Sequence, residues 1–201
     1  MSVEAEKPAR LPPTPVLETS RLVLRPIRAE DIDAMRRRFG QWEVVRHLSA
    51  KVPWPLPPDN FEVAMADTLE KMARRERCSW ALTLKEDTGE LIGRIDLWPE
   101  TGERDNRGFW LDPEFWGRGL MTEAADAVTE YAFTELDWPR LYLCNAEANI
   151  ASHRVKEKQG ARIIDRVPAD YVSGPGTRVV WVLEREAWLE RRAAGGTNSK
   201  S

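Results

Sequence analysis

Hydrophobic and polar residues alternate with two different periods along this chain, so both strands and helices are expected. In residues 21–27 (RLVLRPI) apolar and polar side chains alternate, as in a strand with one buried face. In residues 122–136 apolar side chains recur every three or four positions, which places Ala125, Val128 and Leu136 on one helix face. The pattern switches between these two periods several times.

This pattern predicts the element order β-α-α-β-β-β-α-β-α-β-β, which is that of a mixed α/β protein. Strands are expected at residues 21–27, 79–84, 91–98, 108–112, 140–146, 161–167 and 177–183. Helices are expected at residues 30–39, 59–75, 122–136 and 152–159, with a last turn or two at residues 184–192. Asp59 and Glu62 have the spacing of a capping box at the start of the second helix.

One domain is expected over residues 16–192, between flexible tails at residues 1–15 and 193–201. The length of 201 residues suits one domain of roughly 150 residues with tails. The first tail is polar and rich in proline, and the second is small and polar. No stretch has the length of a transmembrane helix or the apolar centre of a signal peptide. A cytoplasmic protein without a membrane partner is therefore expected.

The charge balance excludes a bulk electrostatic attraction to nucleic acid. Thirty Lys and Arg residues against 33 Asp and Glu residues give a net charge of −3. The two cysteines, Cys78 and Cys144, are far apart in the sequence, which is typical of a reducing compartment. Together with two histidines at unrelated spacings they indicate no metal site. Cys144 lies on a predicted strand and is expected to be buried and inert.

The informative segment is residues 108–123, GFWLDPEFWGRGLMTE. A strand ends at Asp112, and a Gly-x-Gly turn at Gly117 and Gly119 leads directly into a helix. Glycines allow a positive φ there, and the helix N-terminus adds N–H donors and a partial positive charge. Such a junction is an anion site, most naturally for phosphate. A tight turn with no ligand is the alternative, and the segment matches neither a Walker loop nor a dinucleotide fingerprint.

In its context this segment resembles the pyrophosphate-binding segment of the GCN5-related N-acetyltransferase (GNAT) family, in its RimJ/RimL-like branch. The family pattern, Gln/Arg-x-x-Gly-x-Gly/Ala, here becomes Trp116-x-x-Gly119-x-Met121. The opening strand LETSRLVLR and the later segment Asn149-x-x-Ser152-x-Arg-Val also resemble that branch. The resemblance spans roughly residues 17–188 and indicates the family more strongly than the substrate.

The resemblance implies a mostly antiparallel sheet split into a V between the strands at residues 108–112 and 140–146. Acetyl-CoA is expected in this gap as a co-substrate, with no metal. The main chain of Trp110 and Leu111 would pair with the pantetheine arm as an added strand. Asn149 would bond a pantetheine amide, and Ser152 would lie near the sulfur. The pyrophosphate would be held by the turn and the first helical residues: Trp116, Gly117, Arg118, Gly119, Leu120, Met121 and Thr122.

Two residues depart from the family pattern. Met121 stands where the wider family has Gly or Ala, although the branch tolerates Met. Lys156 stands on the short helix where the wider family often has a tyrosine that acts as general acid. Lys156 is expected on a solvated helix face; stabilisation of the departing thiolate by its charge is the alternative.

Transfer of an acetyl group to a primary amine needs a neutral amine, so a base or a water chain must take its proton. The N–H of Leu111 is the candidate donor to the developing oxyanion, and Ser152 the candidate donor to the thiolate. The other interpretation of Ser152 is a helix N-terminal residue that satisfies backbone groups. Asp170, expected in the loop between the last two strands, is the candidate base. Two rivals stay open, Asp96 and Glu100, and an ordinary loop aspartate is the other interpretation of Asp170. His47 lies in the loop that would border the acceptor site, where a lone histidine is more often structural.

The expected reaction is therefore a direct attack of the amine on acetyl-CoA in a ternary complex. A non-catalytic CoA-binding regulatory module is the alternative, because the general acid is undefined. A phosphate-binding regulator would explain the glycine turn but not Asn149 and Ser152. The acceptor stays open between a protein N-terminus and a small amine, as does the choice between monomer and homodimer.

Overall fold

A computed structural model describes residues 10–196, apart from residues 88, 101 and 103. The strands are β1 (Leu17–Glu18), β2 (Leu22–Pro26), β3 (Cys78–Leu84), β4 (Gly93–Leu97), β5 (Arg107–Leu111), β6 (Arg140–Ala146), β7 (Arg162–Tyr171) and β8 (Gly174–Glu184). The helices are α1 (Ile32–Phe39), α2 (Trp42–Val45), α3 (Asn60–Ala73), α4 (Leu120–Thr134), α5 (Ile150–Gln159) and α6 (Arg185–Gly196). The mixed α/β class is confirmed, and no helix within the described residues is long and apolar enough to cross a membrane.

Two antiparallel sheets form the frame. The first has the strand order β1-β2-β3-β4-β5, and the second has the order β6-β8-β7. The predicted hairpin of β3 and β4 is confirmed, with Trp80 opposite Ile95. In the second sheet β8 is central and pairs with β7 from Gly174 to Val182, apart from a register shift near Ile163.

The two sheets meet at one end of β5 and β6 and separate at the other, as the V-shaped prediction requires. The N–H of Asn106 donates to the C=O of Tyr142 at 2.8 Å. The N–H of Tyr142 in turn donates to the side-chain Oδ1 of Asn106, also at 2.8 Å. Beyond this joint β5 pairs only with β4, and β6 pairs only with β8. A gap therefore opens toward Leu111 and Ala146.

The first sheet is covered on both faces. Helix α4 packs against one face in a core that also includes side chains of the second sheet, such as Leu141 and Trp181. Helices α1 and α3 cover the other face, where Met35 and Met65 pack against Ala81. Helices on both faces thus support the sheet that contains β5, the strand that borders the gap.

A short loop segment also ties the first part of the chain to the second sheet at the open end of the V. Residues 46–50 follow α2 and lie beside the turn between β7 and β8. The N–H of Ala50 donates to the C=O of Asp170 at 2.9 Å. The N–H groups of Val172 and Ser173 donate back to the C=O groups of Leu48 and Arg46 at 3.0 and 3.1 Å. We call residues 46–50 the strap.

Three sequence expectations need correction. The N-terminal tail is shorter than residues 1–15, because Leu11 is buried and Trp80 donates its indole N–H to the C=O of Pro15 at 2.7 Å. Residues 1–9 and 197–201 of the expected tails lie outside the described residues, and α6 continues to Gly196. The capping box of α3 is absent, because Asp59 makes no side-chain cap and Glu62 pairs with Arg36.

Candidate active site

The gap between β5 and β6 holds a cavity of about 470 Å³. The end of β5, the following loop and α4 form one wall, and α5 forms the opposite wall. Residues of α2 and the strap, including Glu43, His47 and Leu48, form a third side. The cavity therefore collects residues from three segments that are far apart in the sequence. Ten of the predicted site residues line it: Trp110, Leu111, Trp116, Gly117, Gly119, Leu120, Met121, Thr122, Asn149 and Ser152.

The glycine turn before α4 is built as the sequence predicts. Gly117 and Gly119 have φ values of 74° and 76°, a left-handed conformation that side chains disfavour. Helix α4 begins at Leu120, two residues earlier than predicted, and its first i to i−4 bond is from Glu123 to Gly119 at 3.1 Å. The N–H groups of residues 120–122 therefore have no partner within the helix, and these residues line the cavity. The arrangement favours an anion.

The rear of this turn is fixed by Glu123 in the first turn of α4. Its carboxylate accepts hydrogen bonds from Thr19 (2.6 Å), Ser20 (2.9 Å) and the main-chain N–H of Arg21 (2.8 Å). Arg21 also bonds the carboxylate through its side chain and donates to the C=O of Arg118 at 2.9 Å. Burial raises the pKa of Glu123, but these hydrogen bonds outweigh it and bring the pKa down to about 2. The loop before β2 thus anchors the turn from outside the cavity.

The side chain of Arg118 does not line the cavity. Its guanidinium lies over the ring of Phe115, 5.6 Å from the ring centroid. Only its main chain belongs to the turn, where its C=O accepts a hydrogen bond from the side chain of Arg21. Arg118 therefore supports the turn rather than adding a charge to the cavity wall.

The register of β5 corrects the expectation for Trp110. Antiparallel strands direct the N–H and C=O groups of alternate residues toward the partner strand. The N–H of Asp112 donates to the C=O of Ile92 at 3.0 Å, so the same alternation directs the main chain of Trp110 to Arg94 of β4. The main-chain groups of Phe109 and Leu111 face the cavity instead. Leu111 keeps its predicted orientation, and Phe109 replaces Trp110.

The end of β5 is held in place by two side chains. Trp116 donates its indole N–H to the C=O of Leu111 at 2.7 Å, which leaves the N–H of Leu111 as the cavity-facing donor. Asp112 caps the next turn by accepting from the N–H of Glu114 at 3.1 Å, and it pairs with Arg38 at 2.5 Å. Asp112 therefore fixes the turn between β5 and the following loop.

Asn149 and Ser152 face β5 from the start of α5. Asn149 is the N-cap: its Oδ1 accepts from the N–H of Ser152 at 3.1 Å. The interpretation of Ser152 as the capping residue is therefore wrong. The Ser152 hydroxyl instead accepts a hydrogen bond from the Nζ of Lys156 at 2.8 Å.

The expectation of a solvated Lys156 is also wrong. Lys156 is only 2% exposed and packs against Ser152 and Phe109. Burial first, and the nearby Arg107 second, lower the pKa of Lys156 to about 7. Periodicity could not reveal this, because α5 carries polar residues on all sides. Two other basic residues of α5, Arg154 and Lys158, line the cavity and were not predicted to do so.

The candidate bases are placed differently from one another. Asp170 lies within β7 rather than in a loop, because β7 and β8 are longer than predicted; its residue is exposed and does not line the cavity. Asp96 pairs with Arg94 at 2.8 Å, and Glu100 borders a separate cavity near Tyr142. His47 does line the main cavity, and burial together with the charge of Arg46 lowers its pKa.

The cysteines are both free. Cys144 is half-buried rather than buried, and its thiol donates to the C=O of Arg104 at 3.0 Å. Burial, helped by Asp105, raises the pKa of Cys144 to about 11, so the thiol stays protonated near neutral pH. Within the part of the chain that is described, no group of three or more His, Cys, Asp and Glu residues could hold a metal ion.

A sheet that splits beside a glycine turn and a helix N-terminus is an arrangement suited to a phosphate-bearing ligand. The acetyltransferase (GNAT) domain model matches residues 21–162, and the chain belongs to this family. It is an N-acetyltransferase. The uncharacterized N-acetyltransferase YoaA of Bacillus subtilis (strain 168) is 30% identical over 154 residues, which cover 73% of this chain and 82% of YoaA.

Two solved structures share the fold. RimJ of Mycobacterium smegmatis in complex with CoA-disulfide has a TM-score of 0.76 at 17% identity, covering 91% of this chain and 95% of RimJ. RimL, a ribosomal L7/L12 alpha-N-protein acetyltransferase in complex with coenzyme A, has a TM-score of 0.72 at 15% identity. This match covers 86% of this chain and 99% of RimL. The GNAT family resemblance is confirmed, and the fold is the one that RimJ and RimL share.

Proposed function

We propose that this protein moves the acetyl group of acetyl-CoA directly to a primary amine, with donor and acceptor bound together. One observation carries the proposal: the cavity-facing main chain of β5 and the N-terminus of α4 open into the same cavity. An extended arm that ends in a diphosphate matches both features. The N–H groups of residues 120–122 would hold the diphosphate, with the partial positive charge of α4 behind them.

The positive side chains of Arg154 and Lys158 support the same orientation of the donor. They lie one helical turn apart on α5 and line the wall opposite the glycine turn. Phosphate oxygens between the turn and α5 would therefore meet main-chain donors on one side and cations on the other. The rest of the donor would run along β5, toward the joint of the V.

The pantetheine amides would meet the main chain of Leu111 and the side-chain NH2 of Asn149 first, and the thioester would then lie between Phe109 and Ser152. The N–H of Phe109, rather than the predicted N–H of Leu111, would donate to the oxyanion that forms when the amine adds to the carbonyl. Ser152 would donate to the sulfur as it leaves.

The amine would enter on the side formed by α2 and the strap. His47 is the base that the geometry supports, because it lines the cavity and its lowered pKa keeps the imidazole neutral near pH 7. A neutral imidazole can accept the proton that the amine must lose. Asp170 lies outside the cavity, so its predicted role as base is not carried forward.

The test is a titration with acetyl-CoA followed by thiol release over a panel of amines. The panel contains peptides with free N-termini, polyamines and aminoglycosides. Binding of acetyl-CoA with thiol release for one class of amine is expected. Binding without release for any amine would favour the non-catalytic CoA-binding module, and absence of binding would reject the site itself.

His47→Gln and Asp170→Asn separate the two candidate bases. We expect His47→Gln to lower kcat by about 100-fold near neutral pH, within the usual range for loss of a general base. Asp170→Asn should leave kcat within about twofold, since a surface substitution away from the cavity has little to disturb. The reverse order of effects would contradict the assignment.

A further inference from the structure

Lys156 is a buried cation that lies one hydrogen bond away from the cleft. Its Nζ donates to the Ser152 hydroxyl at 2.8 Å, and Ser152 lines the cavity while Lys156 does not. The hydroxyl therefore separates the ammonium from the place where the proposed sulfur would lie. This lysine also orients Ser152. Because the hydroxyl oxygen accepts a hydrogen bond from Nζ, the hydroxyl proton of Ser152 points away from the lysine.

The surroundings of Lys156 do not favour a charge. The Nζ lies 5.3 Å from the ring centroid of Phe109, which gives a cation–π contact. Arg107 on β5 repels the ammonium, while Asp105 before β5 attracts it. Among the ion pairs of the described residues, none includes Lys156, whereas Asp105 pairs with Arg178 at 3.8 Å.

An apolar side chain at this position would cost less. A buried ammonium without a close carboxylate loses its hydration and receives only partial compensation. The other buried cation nearby, Arg107, is bonded to Thr129 and Gln159, both at 2.7 Å, so it is part of a structural network. Among the described residues, Lys156 has one side-chain hydrogen-bond partner, and that partner, Ser152, is a residue of the cleft.

Resting on the proposed function, we propose that Lys156 is the proton source of Ser152. Its ammonium orients the Ser152 hydroxyl toward the cleft and, through that hydroxyl, supplies the proton that the coenzyme A sulfur takes as the thioester breaks. Ser152 touches the sulfur and is the catalytic residue. Lys156 acts through it and is a positioning residue.

The proton balance closes over one turnover. The C–S bond of the tetrahedral adduct breaks, and its electron pair stays on the sulfur, which takes the proton of the Ser152 hydroxyl. The serine oxygen takes a proton from the Lys156 ammonium, and the carbonyl of the new amide reforms. The attacking amine has released one proton to the base of the cleft and thence to water. Neutral Lys156 recovers one proton from cleft water through Ser152.

The lowered pKa of Lys156, about 7, supports this role. A lysine with its ordinary pKa of 10.5 would hold its proton too tightly to pass it on near neutral pH. Lys156 can supply a proton only while it is protonated. Its deprotonation should therefore make kcat fall as the pH rises through about 7.

The first experiment needs no acceptor. The acidity of the thiol of bound coenzyme A is followed by thiolate absorbance across pH, in the wild type, Lys156→Met and Ser152→Ala. The wild type should bind coenzyme A with a thiol at least about tenfold more acidic than in Lys156→Met. The forming thiolate raises the pKa of Lys156 above about 7, so the ammonium stays charged opposite the sulfur and stabilises the thiolate through Ser152. The affinity for acetyl-CoA should change by less than about twofold, since the thioester carries no charge.

Equal thiol acidity in the wild type and Lys156→Met would overturn the inference while leaving the proposed function intact. Failure of the wild type to bind acetyl-CoA would overturn the proposed function itself. The two failures are therefore distinguishable. Cys78 and Cys144 do not interfere, because burial raises the pKa of both thiols.

The second experiment uses turnover with the best amine of the panel. Lys156→Met should lower kcat about tenfold with little change in KM, and the alkaline fall in kcat near pH 7 that belongs to Lys156 should disappear. Lys156→Gln should behave like Lys156→Met, because an amide can orient Ser152 but cannot supply a proton. Full activity of Lys156→Gln would overturn the proposal.

Folding is controlled in the same set of proteins. Lys71→Met removes an exposed lysine of α3 that pairs with Asp67, and it should leave kcat and its pH profile unchanged.

The stability of the fold gives a further control. Because the pKa of Lys156 is lowered in the folded protein, the destabilisation caused by its charge is fully present below pH 7 and vanishes above about 10.5. Lys156→Met should therefore gain thermal stability over the wild type at pH 6 and lose that gain at high pH. A purely structural lysine would instead lower the stability on substitution and leave the pH profile of kcat unmoved.

Discussion

The two ends of the donor cleft are built from different chemistry. At the glycine turn the cavity wall is main chain, and the glycines at 117 and 119 with the first turn of α4 provide it. At the start of α5 the wall is side chain, and the Ser152–Lys156 pair provides its polar groups. A main-chain wall can recognise only a general feature such as a phosphate, whereas a side-chain wall can hold and move a proton. Binding and chemistry are thus separated along the cleft.

Substitution of Gly119 by Glu should give the largest effect, because it attacks the main-chain end directly. The residue has a φ of 76°, so any side chain is strained there at a cost of about 1–3 kcal/mol. The added carboxylate also repels the diphosphate. We expect acetyl-CoA affinity, measured by calorimetry, to fall at least about 100-fold.

Gly174→Glu is the matched control, since Gly174 has a φ of 110° at the turn between β7 and β8 and a Cβ there meets nothing within 4 Å. It introduces the same strain and charge outside the cavity, so affinity should stay close to that of the wild type. An equal loss in both variants would mean that strain alone, and not the anion site, explains the result.

Ser152→Ala attacks the other end and should separate chemistry from binding. The hydroxyl helps only the departing thiolate, which needs modest assistance because thiols ionise close to neutral pH. We expect kcat to fall about tenfold while the affinity for acetyl-CoA changes little. A parallel loss of both, or of neither, would remove Ser152 from the chemical end of the cleft.

Sequence could predict the main-chain end in detail because its signal is local. Gly117, Gly119 and the apolar period of α4 are read directly from neighbouring positions, and the split beside β5 followed from the family resemblance. The side-chain end depends on tertiary packing. Nothing in the sequence near Lys156 shows that α5 turns this residue against Phe109, and the register that exchanges Trp110 for Phe109 is set by pairing with β4.

Asn106→Ala should test whether both ends depend on the joint of the V. The side chain accepts from Tyr142 and donates to the C=O of Trp98 at 3.1 Å, so its loss should cost about 1–3 kcal/mol of the free energy of unfolding. Because the joint sets the angle between the sheets, acetyl-CoA affinity should also weaken. Chemical denaturation and calorimetry measure the two effects.

Asn145→Ala is the companion variant. Asn145 bonds Trp181 and the C=O of Ala146, and both partners lie within the second sheet. We expect a stability loss of similar origin with unchanged affinity. If affinity changes equally in the two variants, the joint has no special role.

Glu123→Gln should give the smallest effect, confined to stability and dependent on pH. The folded pKa of Glu123, about 2, lies below its ordinary value of 4.5. The stabilisation is therefore fully present above pH 4.5 and is lost as the pH falls through about 2. The melting temperature of the variant should lie below that of the wild type at pH 7, and the two should converge in acid.

Glu130→Gln controls for charge on the same helix, because Glu130 is exposed and only pairs with Arg192 at 3.3 Å. Its melting temperature should follow that of the wild type at every pH. A gap of the same size in this variant would assign the effect to the net charge of α4 rather than to the anchor of the glycine turn.

The strap has a consequence for how acceptors are chosen. Three main-chain hydrogen bonds, made by Ala50, Val172 and Ser173, hold residues 46–50 against the second sheet. The opening through which the acceptor amine would enter therefore has a fixed width. The width of this opening is set by folding, so the amine enters a preformed site. Exchanging strap side chains other than His47 would then change which amines enter, while the donor site on the other walls of the cleft keeps its structure.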